Sequence, residues 1–175
     1  NMMKRSGANS VNEYIVLLEK SPVLKQKLKD FITINVSEFF RNKDLFDDLK
    51  KAVMDNLVKD NKRLKIWSAA CSNGAEPYSI AIMMDKLTPN IKHDIIATDI
   101  NATILEKAQK GEYGSNDVKN VDKDDLQKYF TFQNDRYILN SDIKRSVKFK
   151  KHDLILDPYE KGFDLIVCRN VVIYF

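Results

Sequence analysis

The fold is decided by residues 64–84, which read LKIWSAACSNGAEPYSIAIMM. The first six residues are apolar enough for a strand covered on both faces. Ser72, Asn73 and Gly74 then predict a tight turn, since asparagine and glycine tolerate a positive φ. Pro77 suits the first turn of a helix, where its missing N–H is harmless, and apolar residues follow at helical spacing. A strand, a glycine turn and a helix predict the opening of a nucleotide-type binding unit, in which the helix N-terminus offers free N–H groups.

The composition indicates a globular protein. The chain has 175 residues, of which 43% are hydrophobic and 31% charged. No apolar run approaches the ~20 residues that a transmembrane helix needs, and the first residues lack the apolar core of a signal peptide. We therefore expect a cytoplasmic protein that does not span a membrane. Cys71 and Cys168 lie in apolar contexts and are expected to be buried thiols without a disulfide.

The rest of the chain alternates predicted helices and strands, which indicates the α/β class. Helices are expected at 10–18, 22–32, 43–58 and 101–110, and buried strands at 93–99, 146–149 and 163–168. Residues 112–145 change character, because two β-like runs flank a turn signal at 133–135. They predict a small antiparallel insertion into the α/β core.

The second predicted strand and the turn indicate the kind of ligand. Asp99 ends that strand roughly 20 residues past the turn, where a carboxylate accepts hydrogen bonds from both ribose hydroxyls. A helix-capping role for Asp99 is the alternative. The turn contains the single glycine Gly74, whereas a dinucleotide needs a Gly-x-Gly-x-x-Gly turn, and no phosphate-binding loop motif occurs. A nucleoside with a short tail, such as S-adenosylmethionine, fits this pattern best.

Residues 32–41 are unusual for a linker because polar residues alternate with large apolar ones. Two interpretations have equal support. Asn35 or Ser37 caps an ordinary helix, or the polar side chains, including Arg41, face a cleft while the phenylalanines anchor the segment. The two histidines have no metal-ligand partners at suitable spacing and are expected to be surface or structural residues, so no metal is expected. No aromatic and basic stripe suggests a nucleic-acid partner.

Four motifs resemble the CheR-type chemotaxis receptor methyltransferases, in the order that this family has them, over roughly residues 10–175. They are INVSEFFR at 34–41, WSAACSNGAEPYSIA at 67–81, ATDI at 97–100 and CRNVVIYF at 168–175. The resemblance implies a Rossmann-like class I methyltransferase fold. It implies a remnant of a helical N-terminal domain at 1–33 and a methyltransferase domain at 34–175, with an inserted β-subdomain at 112–145.

The resemblance also implies a reaction. The family transfers a methyl group from S-adenosylmethionine to glutamate side chains in the cytoplasmic domains of membrane chemoreceptors. The products are glutamate methyl esters and S-adenosylhomocysteine, and no metal takes part.

Residue roles follow from the resemblance as expectations. Arg41 and Tyr174 would be catalytic, meeting the incoming carboxylate. The cofactor would contact Asn35, Ser37, Arg41, Gly74, Glu76, Asp99, Asp153, Leu154, Arg169 and Asn170. Within this set, Glu76 would hold the methionine end and Asp99 the ribose, while Asp153 and Leu154 would flank the adenine.

This chain departs from the family pattern at three positions. The family usually has threonine in place of Ser37, glutamate in place of Ala75 and asparagine in place of Asp153, and we expect at most weaker cofactor binding. The family also has a longer helical domain and three more strands. We therefore expect a chain truncated at both ends, with an incomplete sheet whose exposed edge favours self-association.

Two other functions compete with receptor methylation. One is a non-catalytic fragment that binds S-adenosylmethionine or the receptor and transfers nothing. The other is a methyltransferase for small molecules, against which the insertion at 112–145 argues, because a family-like β-subdomain serves a protein substrate.

Overall fold

The computed structural model describes residues 2–32, 37–59 and 62–171. Contacts divide the chain into two units, Asn1–Asn35 and Val36–Phe175. The first unit contains three helices, α1 Met2–Arg5, α2 Val11–Lys20 and α3 Pro22–Ile32. Helix α2 begins as its capping pattern predicts, since Ser10 Oγ accepts a hydrogen bond from Glu13 N at 3.2 Å. The Glu13 carboxylate in turn accepts one from Asn9 N at 2.8 Å.

The second unit confirms the predicted α/β class. Its elements in chain order are α4 Lys43–Asn56, β1 Lys65–Ala69, α5 Ala75–Leu87, β2 Asp94–Asp99, α6 Ala102–Lys110, β3 Glu112–Tyr113, α7 Lys123–Tyr129, β4 Phe130–Gln133, β5 Arg136–Leu139, α8 Ser141–Arg145, β6 Val147–Lys151 and β7 Leu165–Cys168. Four parallel strands form the main sheet in the order β6-β2-β1-β7. Among the described residues, no helix combines the length and the apolar character that crossing a membrane requires.

A second sheet lies between α6 and β6 in the chain. It has three antiparallel strands in the order β3-β5-β4. Asn134 and Asp135 form the turn between β4 and β5 with φ values of 51° and 56°. Positive φ at both central residues is typical of the turn that matches the twist of a hairpin. The sequence predicted this hairpin, whereas it gave no signal for the short strand β3 or for helices α7 and α8.

Helix α5 lies at the centre of the main core. Its buried residues include Tyr78, Ile80 and Met84, so most of its circumference is covered. Ile66 of β1 packs in the same cluster. The next residue, Trp67, points to the opposite face of the sheet, where a smaller apolar cluster forms. The main sheet therefore has one face covered by helices and one covered mainly by the segment after β6.

Strand β7 is the outer strand of the described sheet, which agrees with the expected exposed edge, whereas the expectation that Cys168 is a buried thiol is wrong. Ile166 is 55% exposed, and Cys168 is exposed as well. These two residues pair in register with Trp67 and Ala69, so their side chains lie on the face of the smaller cluster. Cys71 is buried as expected, and both thiols are free.

Candidate functional site

The carboxyl edge of the main sheet gathers most of the predicted site residues. Parallel strands end on the same edge, so the turn after β1 lies beside Asp99 at the end of β2. Asp153 follows β6 and Arg169 follows β7, which adds both to this edge. The backbone N–H of His152 donates to the carbonyl of Asp99 at 3.0 Å and joins the ends of β6 and β2.

The turn between β1 and α5 has the conformation that its residues permit. Gly74 precedes α5 with a φ of 84°, and Ser72 has a φ of 52°. A Cβ atom on Gly74 would lie 2.8 Å from the Cβ of Ala108 in α6. The need for glycine is therefore explained within the protein, and its contact with a cofactor stays a prediction. The hydroxyl of Ser72 is buried and has no hydrogen-bond partner among the described residues.

Glu76 lies in the first turn of α5 with a largely buried carboxylate. Its Oε1 accepts a hydrogen bond from the Ser68 hydroxyl at 2.8 Å. Burial raises the pKa of Glu76 to about 7, against the lowering effects of the Ser68 bond and of the charges on Arg169 and Arg41. A buried carboxylate is costly to ionise without a cation. The surroundings of Glu76 therefore suit an incoming ammonium group.

Asp99 is buried at the end of β2 and accepts backbone hydrogen bonds on both oxygens. Oδ2 accepts from Ser72 N at 2.8 Å, and Oδ1 accepts from Asn101 N at 2.9 Å. The cap of α6 is Asn101, whose Oδ1 accepts from Thr103 N and Ile104 N. The capping alternative for Asp99 is thus excluded. Each carboxylate oxygen has a further lone pair, so Asp99 can still accept from ribose hydroxyls.

Residues 37–42 are held by hydrogen bonds from separate parts of the chain. Asn73 Nδ2 donates to the Ser37 carbonyl at 3.3 Å. The backbone N–H of Phe39 donates to the Asp117 carbonyl at 2.8 Å, which ties the segment to the insertion. Asn120 Nδ2 donates to the Phe39 carbonyl at 3.3 Å. The segment is therefore built into the site by both the turn and the insertion.

The ring of Phe39 anchors this segment. It is fully buried, and its centroid lies 4.7 Å from that of Tyr113 and 5.2 Å from that of Phe130. Helix α4 begins only at Lys43, so Ser37 caps no helix. For Ser37 the structure therefore favours the interpretation in which phenylalanine anchors a segment that faces a cleft.

Arg169 reaches across from β7 to the same segment. Its Nη2 donates to the Arg41 carbonyl at 3.0 Å and to Asn42 Oδ1 at 3.1 Å. Its guanidinium carbon lies 5.5 Å from the centre of the Phe46 ring. The resemblance to the family predicted only a contact of Arg169 with the cofactor, whereas in the structure Arg169 also binds the backbone carbonyl of Arg41. Asn170 follows with a φ of 58° and is exposed.

Asp153 and Leu154 shape the chain after β6. The Oδ1 atom of Asp153 accepts from Ile155 N at 2.8 Å and from Leu156 N at 3.2 Å. The side chain of Leu154 packs against the smaller apolar cluster of the sheet, and its carbonyl accepts from the Tyr159 hydroxyl. The two residues lie next to the carboxyl edge, and the expected contact with adenine stays a prediction.

The two histidines differ in their surroundings. His93 is buried and structural, since its Nδ1 accepts from Leu64 N at 3.0 Å and its Nε2 lies 2.7 Å from Thr88 Oγ1. His152 packs edge-on against Trp67, and its Nε2 is buried without a hydrogen-bond partner among the described residues. Within the described ranges, no group of three or more His, Cys, Asp or Glu side chains is placed to hold a metal ion.

Two predicted site residues, Asn35 and Tyr174, lie outside the described residues, and their roles stay predictions. The sequence in turn missed Ser68 and the residues that hold the 37–42 segment. Ser68 had a signal, because it is the polar residue on the face of β1 that Ile66 shares, and that face meets α5. Asp117 had none, since nothing in its sequence surroundings places the insertion beside this segment.

The sheet order, the glycine turn and the carboxylate at the end of the second strand define a Rossmann-like fold of the class I methyltransferase type. The chain belongs to the CheR methyltransferase family, because the family described as "CheR methyltransferase, SAM binding domain" matches residues 35–175. The resemblance read from the four sequence motifs is thereby confirmed. S-adenosylmethionine is the ligand that this family description names.

Several relatives carry the name chemotaxis protein methyltransferase. The chain is 44% identical over 164 residues to one from Listeria monocytogenes, which covers 93% of the chain and 63% of the relative. It is 38% identical over 188 residues to one from Borreliella burgdorferi, with 99% of the chain and 66% of the relative covered. A third, chemotaxis protein methyltransferase 1 from Pseudomonas aeruginosa, is 34% identical over 187 residues, at 99% and 68%. The chain thus spans about two thirds of the length of these relatives.

Proposed function

We propose that this chain transfers a methyl group from S-adenosylmethionine to glutamate side-chain carboxylates of chemoreceptors and forms glutamate methyl esters. The observation that carries the proposal is the cluster at the carboxyl edge, where the buried carboxylate of Glu76 lies within electrostatic reach of Arg41 and Arg169. The names of the relatives and the matched family support a methyltransferase of chemotaxis. The receptor glutamates come from the resemblance in the four sequence motifs.

The residues at the edge fit the chemistry of the cofactor. Glu76 would accept from the ammonium of its methionine part, because burial makes its ionised form costly and a nearby positive charge would stabilise that form. Asp99 would accept from the ribose hydroxyls, and the buried Ser72 hydroxyl offers a further polar contact. Asp153 and Leu154 would flank the adenine. When bound, S-adenosylmethionine supplies a methyl group on a sulfonium, which is a good leaving group.

The protein then has to align the substrate. A glutamate carboxylate is already ionised near pH 7 and is itself the nucleophile, so no residue has to remove a proton. Arg41 would pair with that carboxylate, and Tyr174 would donate a hydrogen bond to it. The backbone bonds around Arg41 support this role, because orientation at near-attack distance is the main contribution that such a reaction needs.

A labelling experiment tests the proposal. The chain is incubated with methyl-labelled S-adenosylmethionine and a cytoplasmic fragment of a chemoreceptor. We expect the receptor fragment to become labelled. Mild alkali should then release this label as methanol, since methyl esters are base-labile. A non-catalytic fragment would bind the cofactor in calorimetry and leave the receptor unlabelled. A small-molecule methyltransferase would place label in added small carboxylic acids and not in the receptor.

The proposal also covers the location and the oligomeric state of the protein. The reaction takes place in the cytoplasm, where the signalling domains of chemoreceptors lie. The chain also self-associates through the β7 edge, since Ile166 is exposed there and one side of this strand has no partner strand among the described residues. Size-exclusion chromatography with light scattering tests the second statement, and a compact monomer at high concentration would contradict it.

A further inference from the structure

Ser79 connects helix α5 to the segment that carries Arg41. It is fully buried and lies three residues after Glu76. Its Oγ donates to the Ala75 carbonyl at 2.7 Å, the usual bond of a serine inside a helix. The same Oγ accepts from the backbone N–H of Phe40 at 2.9 Å. This second bond spans 39 positions in the chain and plays no part in forming the helix.

Phe40 needs such a partner because its backbone is strained. Its φ is 48°, in the left-handed region that bulky residues rarely adopt. A residue of this kind keeps the conformation only when its surroundings hold it there. On one side of Phe40, the N–H of Phe39 is bound to the Asp117 carbonyl. On the other side, the Arg41 carbonyl is bound to Arg169.

We propose that Ser79 is a positioning residue, which fixes the Phe40–Arg41 backbone relative to Glu76 and so places Arg41 for the reacting carboxylate. Glu76 and Ser79 lie at positions i and i+3 of one helix, and such positions are neighbours on its surface. One turn of α5 therefore carries both the Glu76 carboxylate, which is predicted to bind the cofactor, and the hydroxyl that accepts from the Phe40 N–H. Ser79 acts on Arg41 through the backbone of Phe40. The catalytic part of this inference rests on the proposed function, whereas the positioning of the segment does not.

The direct test is hydrogen exchange at one amide. In Ser79→Ala, we expect the amide of Phe40 to exchange at least about tenfold faster than in the unmodified chain, because its acceptor is lost. The matched control is Thr88→Val. Thr88 is also buried, and its Oγ1 donates to the carbonyl four residues earlier, Met84 O, at 2.9 Å, but it caps the other end of α5. We expect this variant to leave the exchange of Phe40 unchanged.

Kinetics test the catalytic part. With the labelled cofactor and the receptor fragment, we expect kcat of Ser79→Ala to fall by about tenfold or more, since small misplacements of a reacting group are costly. The calorimetric Kd for S-adenosylmethionine should stay within about twofold, because the variant keeps Glu76 and Asp99. A variant that was merely less stable would not divide its effects in this way, and Thr88→Val should keep both values.

The outcomes separate the two proposals. Unchanged exchange at Phe40 in Ser79→Ala overturns the inference, and so does faster exchange with an unchanged kcat. If the unmodified chain transfers no methyl group, the proposed function fails, while exchange at Phe40 still decides whether Ser79 positions the segment. If Ser79→Ala does not fold, Ser79→Cys replaces it. Its thiol fills the same place but is a weaker acceptor, so Phe40 should again exchange faster.

Discussion

The hydroxyl of Ser68 donates to the carboxylate of Glu76 at 2.8 Å, across the turn that joins β1 to α5. This bond places a titratable group where the strand, the turn and the helix meet. Burial dominates its electrostatics and raises the pKa of Glu76 to about 7. The carboxylate is therefore half protonated near neutral pH in the protein without cofactor, which makes two properties of the molecule depend on pH.

The first property is stability. The folded protein holds a proton on Glu76 that the unfolded chain, with a pKa of 4.5, releases at lower pH. The free energy of unfolding should therefore fall by about 3 kcal/mol for this group as pH rises from about 4.5 to 7, and level off above pH 7. Urea unfolding at a series of pH values measures it.

Glu76→Gln should remove this component, so that the variant gains stability relative to the unmodified chain as pH rises. The exposed Glu106 provides the control, since Glu106→Gln alters a carboxylate on the solvent side of α6. Equal pH dependence of the unmodified chain and Glu76→Gln would contradict the burial of a titrating group at this position.

The second property is cofactor binding. If Glu76 accepts from the ammonium of S-adenosylmethionine, binding stabilises its ionised form and lowers its pKa. Binding near pH 6 should then release about one proton, and the affinity should rise with pH up to about 7. Calorimetry in buffers of different ionisation enthalpy counts the protons. Proton release that persists in Glu76→Gln would assign the titration to another group.

Gly74 allows a separate prediction about the turn. Gly74→Ala puts a Cβ atom 2.8 Å from the Cβ of Ala108, at a φ of 84° that alanine rarely adopts. Gly162→Ala is the matched control, because its φ is 80° and nothing lies within 4 Å of the added atom. We expect Gly162→Ala to lower the free energy of unfolding by about 1 kcal/mol, from the backbone conformation alone. Gly74→Ala should lower it by at least about 2 kcal/mol, because the added Cβ also overpacks the contact with α6. Equal losses in urea unfolding would show that packing against α6 is not the reason why position 74 requires glycine.

Much of the main sheet could be predicted from the sequence, because its signals are local. Apolar runs give β1 and β2, Pro77 gives the start of α5, and Asn101 and Gly111 bound α6 at the positions expected. Periodicity does not report the neighbours of a strand. Strand β7 has the apolar run of a buried strand, yet Ile166 is 55% exposed, because the described sheet ends there.

The sequence pointed to charged residues of the candidate site and not to the residues that support them. The position of Asp99 at a strand end predicts a contact with ribose, whereas the role expected for Glu76 comes from the resemblance to the family. The bond from Phe40 to Ser79 joins residues 39 positions apart, and it depends on a positive φ at a phenylalanine, which no propensity predicts. The backbone contact of Phe39 with Asp117 likewise depends on how the insertion folds back. Such contacts arise from tertiary structure alone.

Arg41 allows the sharpest separation of binding from transfer. Its backbone is held by Arg169, so removal of its side chain should leave the fold of the segment intact. In Arg41→Ala we expect methyl transfer to the receptor fragment to fall at least about a hundredfold, because the carboxylate loses its cationic partner. The calorimetric Kd for S-adenosylmethionine should change by less than about threefold, since Glu76 and Asp99 remain.

Arg145→Ala is the control for the loss of an arginine, because Arg145 is exposed on α8 and pairs with Asp142. It should retain both transfer and binding. A large loss of cofactor affinity in Arg41→Ala would instead make Arg41 a binding residue. The electrostatic pairing of Arg41 with Glu76 would then serve the methionine part of the cofactor, and alignment of the substrate would rest on Tyr174 and the receptor's own contacts.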